Sequence, residues 1–306
     1  MPKRIEHTIM IDERLANMRL DQALAQILTE YSRSKIQDWI KYGCVKVDGK
    51  EAKPRDKTIV GQEIKISAKL QEVIEDQPEA IKLNIVYEDE DILVVNKPAG
   101  LVVHPAAGNR TGTMLNALLH HAPTISQLPR AGIIHRLDKD TSGLLVVTKT
   151  LTAHTKLVKE LQERKFTREY IAIVHGTMVA GGTIEAPIGR HPKDRKKMAV
   201  VLNGKPAITH YRVIEKFPNH THIKVKLETG RTHQIRVHMA YIKHPLIGDP
   251  TYGNPRKQPH FHRQALHARK LGFIHPTKNT YMEWSAPIPP DIKELLTTLK
   301  TPLNIP

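Results

Sequence analysis

Two carboxylates, Asp138 and Asp140, stand together in the segment HRLDKDTSG, which runs from His135 to Gly143. Small residues that suit a tight turn follow them, and a hydrophobic run then begins, as expected of a loop at a strand edge. A carboxylate in such a loop can act as a nucleophile or as a general acid or base. Asp-X-Asp is also a common turn device, because aspartate accepts hydrogen bonds from backbone N–H groups. The segment alone leaves both interpretations open.

A second set of polar residues lies in LETGRTHQIRVH, from Leu227 to His238. On an extended strand Gln234, Arg236 and His238 would share one face. An arginine held beside a buried carboxylate favours the ionised form of that carboxylate, which a nucleophile requires. We therefore predict that Arg236 lies on a strand beside a catalytic carboxylate.

The charge balance indicates a polyanionic partner. The 306 residues include 47 lysines and arginines against 31 aspartates and glutamates, so the formal net charge is +16 and the isoelectric point about 9.8. Nucleic acid is the favoured partner, although a basic protein without such a partner would have the same composition. Aromatic residues make up only 5% of the chain, which disfavours broad stacking on single-stranded bases. Recognition of a folded nucleic-acid shape is therefore expected.

Several classes of protein are disfavoured by what the sequence lacks. Cys44 is the only cysteine, so no intrachain disulfide and no thiolate-rich metal site can form, and a reducing cytoplasm is expected. The 18 histidines show no HExxH spacing, and no glycine-rich phosphate-binding motif is present. We therefore predict neither a metal nor a cofactor. Without a signal peptide or a run of roughly 18 apolar residues, no export and no membrane span are expected.

The first 70 residues predict a small domain of two helices and short strands. Apolar residues at helical spacing indicate a first helix over 20–28, and Ser32 can cap a second. Asp48-Gly49 is a strong signal for a tight hairpin, and GQEIKI from Gly61 alternates as a strand does. These elements should position any basic residues that they carry on one small surface.

The remaining chain predicts an α+β region. Buried strands are indicated by ILVVN from Ile92, GLLVVTK from Gly143 and YIAIVHG from Tyr170, and a one-sided strand by the alternation over 223–227. Helical spacing appears over 114–119 and 153–161 and again from Asp291 onward. Strands and helices alternate too irregularly for a doubly wound sheet.

The small domain resembles the S4 RNA-binding domain in the segments RLDQAL, SRSKIQDWI and GCVKVDGK. The resemblance implies that Arg33, Lys35 and Lys41 contact RNA phosphates, which hold and orient an RNA without reading its sequence. Each of them could equally be a solvated surface cation. We predict an S4 domain over 1–70 with a core over about 14–66, a linker over 71–82 and a catalytic domain over 83–306.

The larger region resembles the RluA family of pseudouridine synthases. The similarity is carried by NKPAGLVVHP, HRLDKDTSGLLVVTK, FTREYIAIVHG, LETGRTHQIRVHMAYIKHPLIGDPTYG and RQALHA. It implies a mixed, largely antiparallel sheet with flanking helices. Within the family, PRAGIIHRLDKDTSG and GKPAITHYRV are most similar to members that act on large-subunit ribosomal RNA.

The same resemblance implies roles for individual residues. Asp138 would be the nucleophile, Arg236 the partner of its carboxylate, and Tyr170 the aromatic residue that stacks on the target base. Arg136 would fill the space that the flipped base leaves, as suits a planar cation. The reaction is a cofactor-free isomerisation: the bond between uracil N1 and ribose C1′ breaks, the base turns, and C1′ joins C5.

Some points stay open at this stage. Asp138 could attack C1′ or remove a ribose proton, and either Asp138 or Tyr170 could accept the C5 proton. The implied partner is a structured hairpin of large-subunit rRNA, possibly within a pre-ribosomal particle, bound by a monomeric, cytoplasmic enzyme. A basic run is expected to form a loop that clamps this RNA, through Arg190, Lys193, Arg195, Lys196 and Lys197.

Two other functions fit parts of the same pattern. A non-catalytic RNA-binding protein would use the S4 domain as its active part. An N-glycosidic-bond hydrolase would use Asp138 and Asp140 as an acid and base pair, would release free uracil, and would require both residues.

Overall fold

A computed structural model describes residues 4–29, 31, 33–69, 76–105, 109–194, 196–253 and 259–300. The chain divides into two compact units, Met1–Glu75 and Asp76–Pro306. Residues 76–82, which the sequence assigns to a linker, lie in the second unit, and residues 71–75 lie outside the described ranges. None of the described helices has the length and apolar character needed to cross a bilayer.

The first unit is a four-stranded antiparallel sheet with two helices packed on it. Its elements are β1 (Arg4–Met10), α1 (Leu20–Ile27), α2 (Arg33–Lys41), β2 (Val45–Val47), β3 (Lys50–Glu51) and β4 (Glu63–Lys69), with strand order β1-β4-β2-β3. Leu24, Ile36 and Ile64 lie in its buried core. The predicted helices and hairpin are confirmed, whereas β1 was not predicted. The proposed cap Ser32 lies outside the described residues.

The hairpin between β2 and β3 shows why the sequence signal was reliable. Asp48 and Gly49 both have positive φ, at 49° and 76°, as a two-residue type I′ turn requires. Val47 consequently pairs with Lys50 directly across the turn.

A buried aspartate joins the two helices of this unit. The side chain of Asp21 is 0% exposed and accepts hydrogen bonds from Arg19, Arg33 and Gln37. Burial opposes ionisation of Asp21, but these hydrogen bonds outweigh it and lower the pKa of its carboxyl. Arg33, which is predicted to contact RNA, is therefore already paired with Asp21, although its side chain is 44% exposed.

The described residues of the second unit form eleven strands and four α-helices. The strands are β5 (Ile85–Glu88), β6 (Ile92–Lys97), β7 (Ser142–Thr148), β8 (Thr167–His175), β9 (Gly182–Glu185), β10 (Ile188–Arg190), β11 (Met198–Val200), β12 (Ile208–Phe217), β13 (His220–Leu227), β14 (Leu266–Ile274) and β15 (Tyr281–Ser285). The helices are α3 (Met114–His121), α4 (Leu151–Gln162), α5 (Gln234–Tyr241) and α6 (Pro290–Lys300). The strands and helices predicted from hydrophobic spacing here are confirmed.

Nine of these strands form one mixed sheet. Its order is β5-β6-β7-β14-β8-β13-β12-β9, with β15 paired to β14. Among the strand pairs of the described residues, only β7 with β14 is parallel. Gly143 in β7 has φ +117°, and a Cβ there would lie 2.2 Å from the Ala268 carbonyl oxygen. Glycine is therefore needed where the two parallel strands meet.

Alternation along the strands divides the core into two layers. Leu145, Val147 and Tyr170 face the cluster that also contains residues of α3 and α5. Their neighbours on the opposite sheet face pack against α4 and α6. The central strands are buried on both faces, which explains their continuous hydrophobic runs.

We predict that Asp21→Ala destabilises the first unit by about 3 kcal/mol, because it removes the anion that two arginines and an amide share. Trp39 lies in this unit and Trp284 in the other, and the chain has two tryptophans. In a Trp284→Phe background, urea unfolding followed by tryptophan fluorescence therefore reports the first unit. Unchanged unfolding of the Asp21→Ala protein would contradict the role of this residue.

Candidate active site

The loop before β7 carries Asp138 and is fixed through its backbone carbonyls. The Asp138 carbonyl accepts a hydrogen bond from the Thr141 N–H at 3.1 Å. The Lys139 carbonyl accepts from the Gly100 N–H at 3.0 Å and from Lys97 Nζ at 2.8 Å. A loop whose carbonyls are bonded in this way holds the intervening side chains in one orientation.

Lys97 ends strand β6 and is fully buried. Its ammonium also donates to the carbonyls of Pro98 and Leu101, at 2.8 and 2.9 Å. Burial lowers the pKa of Lys97 from 10.5 to about 7, against the attraction of Asp140 and Asp138. The three carbonyls compensate for lost hydration, so Lys97 joins the 98–101 turn to the Asp138 loop.

Arg263 supports the far side of the same loop. Its Nη1 donates to the Asp140 carbonyl at 3.1 Å, while Nε and Nη2 bind both oxygens of Asp291. Asp140 thus contributes a backbone oxygen to the support of the loop, and the large cleft described below is not lined by its side chain. Asp138 and Asp140 therefore have different surroundings, because the side chain of Asp138 lines the cleft and that of Asp140 does not.

Arg236 stands between two carboxylates. Its Nη1 donates to Asp138 Oδ2 at 3.0 Å, and its Nε and Nη2 donate to the two oxygens of Asp249 at 2.7 and 2.8 Å. The side chains of Arg236 and Asp249 are 5% and 0% exposed, against 17% for Asp138. Burial opposes ionisation of Asp249, but the hydrogen bonds and charge of Arg236 outweigh it and lower its pKa. The guanidinium is anchored by Asp249 and presents its remaining edge to Asp138.

His233 and Tyr252 complete the surroundings of Asp138. His233 Nε2 lies 3.9 Å from Asp138 Oδ1, and its Nδ1 lies 2.8 Å from the Tyr252 hydroxyl. The Tyr252 ring packs 5.1 Å from the Arg236 guanidinium carbon. Burial, more than any neighbouring charge, lowers the pKa of His233 and favours the neutral ring. Arg236 is therefore the cation in direct contact with Asp138.

Asp138 opens onto a cleft of about 780 Å³. The cleft is wide enough for a nucleotide and is lined on several sides by basic and aromatic side chains. Its lining includes His104, Arg130, Arg136, Asp138, Arg168, Tyr170, Arg231, His233 and Arg236. The structure therefore brings the three residues predicted for catalysis, Asp138, Tyr170 and Arg236, to one cleft. Arg136, predicted to fill the space of the flipped base, lines the same cleft.

The prediction that Arg236 lies on a strand is wrong. Strand β13 ends at Leu227, and residues 234–241 form helix α5, which begins after His233 in a left-handed conformation with φ 56°. Alternating polar and apolar residues over so short a segment fit a strand and a buried helix equally well. Ile235 and Met239, four residues apart, both enter the core, as a helix allows.

The predicted RNA-contact residues lie elsewhere. Arg190 ends β10, and the segment to Lys197 connects it to the antiparallel strand β11. Arg195 lies outside the described residues. Lys197 is 4.0 Å from Asp194, and Lys41 is 3.8 Å from Asp38. The described residues include no group of three histidine, cysteine or acidic side chains placed to hold a metal ion.

Sequence reasoning missed Asp249, Lys97 and Arg168. All three stand in segments that carried the family resemblance, IGDPTYG, NKPAG and FTREY, yet none was given a role. For Lys97 and Arg168 the available signal was a charged residue beside a predicted buried strand, because an ion that is buried there requires a partner.

Comparison with known proteins identifies related sequences and folds. A family model for RNA pseudouridylate synthase matches residues 91–241, and one for the S4 domain matches residues 18–64. Ribosomal large subunit pseudouridine synthase D of Escherichia coli is 52% identical and covers 98% of this chain and 96% of its own. The Pseudomonas aeruginosa protein of the same name is 53% identical over 98% of each chain. Human RNA pseudouridylate synthase domain containing 1 has a TM-score of 0.56 at 28% identity, over 73% of this chain and 96% of its own.

We predict that Asp249→Asn and Asp138→Asn differ in their effects on folding. Asp249→Asn leaves a buried guanidinium without its main counter-ion and should lower the free energy of unfolding by about 3–5 kcal/mol. Asp138→Asn weakens a single hydrogen bond of a partly exposed carboxylate and should change it by less than about 1 kcal/mol. Urea denaturation of both variants tests this, and equal losses would contradict the anchoring role of Asp249.

We also predict an acid-sensitive contribution from His135. Burial, and next the charge of Arg168, lower the pKa of His135 from 6.5 to about 3, and its Nε2 accepts the Val146 N–H. Between these values unfolding takes up a proton, so stability falls as the pH drops from 6.5 toward 3. His135→Gln keeps an acceptor that does not titrate. Its unfolding free energy should fall less between about pH 7 and 4.5, by up to about 2 kcal/mol. Equal declines would refute this assignment.

Proposed function

The chain belongs to the family of RNA pseudouridine synthases, and from this membership we propose that it converts specific uridines of large-subunit ribosomal RNA (23S rRNA) to pseudouridine. The observation that carries the proposal is the contact of Arg236 with Asp138 inside a nucleotide-sized cleft. An ionised carboxylate at this position can act on a ribose that has been turned out of its RNA stack.

The reaction begins with cleavage of the N1–C1′ bond. The Asp138 carboxylate either attacks C1′ directly or removes a ribose proton, and in both routes the electron pair of the broken bond goes to uracil N1. The base then turns and C5 forms the new bond to C1′. In the first route the Asp138–C1′ bond breaks as this bond forms, and in the second route Asp138 returns the proton to the ribose. C5 then loses its proton. The Arg236 hydrogen bond holds the Asp138 carboxylate ionised and oriented at the start of this sequence.

Tyr170 is proposed to pack against the target base. It lines the cleft from strand β8 and is only 7% exposed. Burial raises the pKa of Tyr170, and the charge of Arg168 only partly offsets this. A phenol that keeps its proton at neutral pH is suited to stacking and poorly suited to accepting the C5 proton. Asp138 is thus the favoured acceptor of that proton.

Arg136 is proposed to occupy the space that the flipped base leaves. Its side chain is exposed at the cleft, two residues before Asp138. A planar guanidinium can stack in such a vacancy and bind phosphate at the same time. The remaining cations of the S4 unit, Lys35 and Lys41 together with Arg33, would hold the RNA through its phosphates.

The basic hairpin formed by β10 and β11 is proposed as an RNA clamp. Ile188 and Met198 of this hairpin belong to a cluster that contains Val237 of α5, and the Met198 N–H donates to the Tyr252 hydroxyl at 2.9 Å. The hairpin is therefore tied to the helix that carries Arg236.

We expect the substrate to be free rRNA or rRNA within a pre-ribosomal particle. The enzyme would then act in the cytoplasm, as a monomer.

The function is tested with rRNA that carries tritium at uracil C5. We predict that the parent protein and Asp140→Asn release tritium and retain the base in the RNA. Asp138→Asn should lower the rate by at least about 1,000-fold, because the reaction loses its nucleophile or base.

Each alternative makes a different prediction for the same assay. A hydrolase would release free uracil and require both acids, and a pure RNA-binding protein would release no tritium in any variant. Tritium release by Asp138→Asn at the parent rate would overturn the assignment.

The clamp is tested by the salt dependence of RNA binding. Lys193→Gln, Lys196→Gln and Lys197→Gln combined should reduce the slope of log K against log salt by about 0.7–0.9 for each phosphate that the variant no longer neutralises. The control carries the same charge change at three exposed lysines that do not line the cleft, Lys224, Lys226 and Lys293. Equal slopes for the two triple variants would contradict the clamp.

A further inference from the structure

Arg168 is a buried cation in the wall of the cleft. It lies in β8 two residues before Tyr170, so the two side chains share one face of the strand. Arg168 is 5% exposed and lines the same cleft as Asp138. The pKa of Tyr170, raised mainly by burial, responds to Arg168 and Asp138 in opposite directions. Arg168, Asp138 and Tyr170 are therefore close enough for the charges of the first two to affect the Tyr170 hydroxyl.

The charge of Arg168 is poorly compensated. Its Nη2 donates to the backbone carbonyl of Glu228 at 3.0 Å, and its buried Nε has no hydrogen-bond partner. Within the described ranges no carboxylate forms a salt bridge with it, and the charge of Arg231 adds repulsion. A desolvated guanidinium without an anion is costly for folding, so its position favours an anionic group bound in the cleft.

The backbone also leaves space for this side chain. A Cβ on Gly230 would lie 2.8 Å from Arg168 Nη1. Glycine at position 230 thus allows the guanidinium to lie against the turn that leads from β13 toward α5. Arg168 consequently faces the cleft from the side of Tyr170.

The proposed reaction creates an anion in this cleft. When the N1–C1′ bond breaks, its electron pair remains on uracil and is delocalised over N1, O2 and O4. We propose that Arg168 stabilises this uracil anion electrostatically, from the wall beside the base that packs on Tyr170. This inference rests on the proposed function. It pairs Arg168 with the uracil leaving group, as Arg236 is paired with the Asp138 carboxylate. A fixed charge in a dry site stabilises developing charge strongly, because it needs no reorganisation.

The test compares two leaving groups at single turnover, with rRNA transcripts that contain either uridine or 5-fluorouridine. Fluorine withdraws electrons and stabilises the departing anion, so the 5-fluorouracil reaction depends less on a protein cation. Arg168→Met should slow conversion of uridine by about 100-fold to 1,000-fold. With 5-fluorouridine the rate is followed as disappearance of the starting nucleoside, because fluorine at C5 blocks the final deprotonation. The loss of this rate should be at least about tenfold smaller. Arg168→Lys, which keeps a charge, should lose less than Arg168→Met on uridine.

Arg164→Met is the matched control. Arg164 also lines the cleft, but its side chain is 45% exposed and is paired with Glu228 at 3.1 Å. Any loss in this variant should be equal for the two substrates, because a solvated, paired cation has little effect on the leaving group.

Other outcomes separate the inference from the proposed function. Equal losses on both substrates, or a lower thermal midpoint with weakened RNA binding, would identify Arg168 as a structural or RNA-binding residue and overturn the inference. Parent-like rates in Arg168→Met, with Asp138→Asn inactive, would overturn the inference and leave the proposed function intact. Parent-like activity in Asp138→Asn would instead reject the function itself.

Discussion

The site depends on one buried guanidinium that serves two carboxylates. Asp249 is 0% exposed and binds Arg236 through two hydrogen bonds, whereas Asp138 receives one and remains 17% exposed. The buried pair of Arg236 and Asp249 is costly to desolvate, and its two hydrogen bonds compensate for that cost only while both residues stay in place. The result is a carboxylate that is oriented by the protein and still open to a substrate.

The rest of the second unit maintains that arrangement. The β7–β14 pair and the carbonyl contacts of Lys97 and Arg263 fix the loop that carries Asp138, while α5 carries Arg236 across the core. Burial raises the cost of every ion in this region, so each one needs a defined partner. Arg168 has no carboxylate partner among the described residues, and we therefore propose that its charge acts on the substrate.

Much of the fold could be predicted from hydrophobic spacing, and part of the site from the residue types. Asp138 and Arg236 are 98 residues apart in sequence. The chemistry of a carboxylate favoured an arginine beside it, and the family resemblance predicted the contact between these two residues. The helix that carries Arg236 could not be predicted, since its short alternation also fits a strand. Burial of Lys97, Arg168 and Asp249 depends on tertiary packing, because charged residues are rarely buried and a position beside an apolar segment does not by itself show that a charge is buried.

The central claim is that the Asp138 carboxylate, held by Arg236 and Asp249, isomerises uridine. Its most direct measurement is the single-turnover conversion of uridine to pseudouridine in large-subunit rRNA by nucleoside analysis, comparing Asp138→Asn, Asp138→Glu and Asp249→Asn with the parent. The account predicts no pseudouridine from Asp138→Asn, slow conversion by Asp138→Glu, and reduced conversion by folded Asp249→Asn at unchanged RNA affinity. Conversion by Asp138→Asn within about tenfold of the parent rate would contradict it.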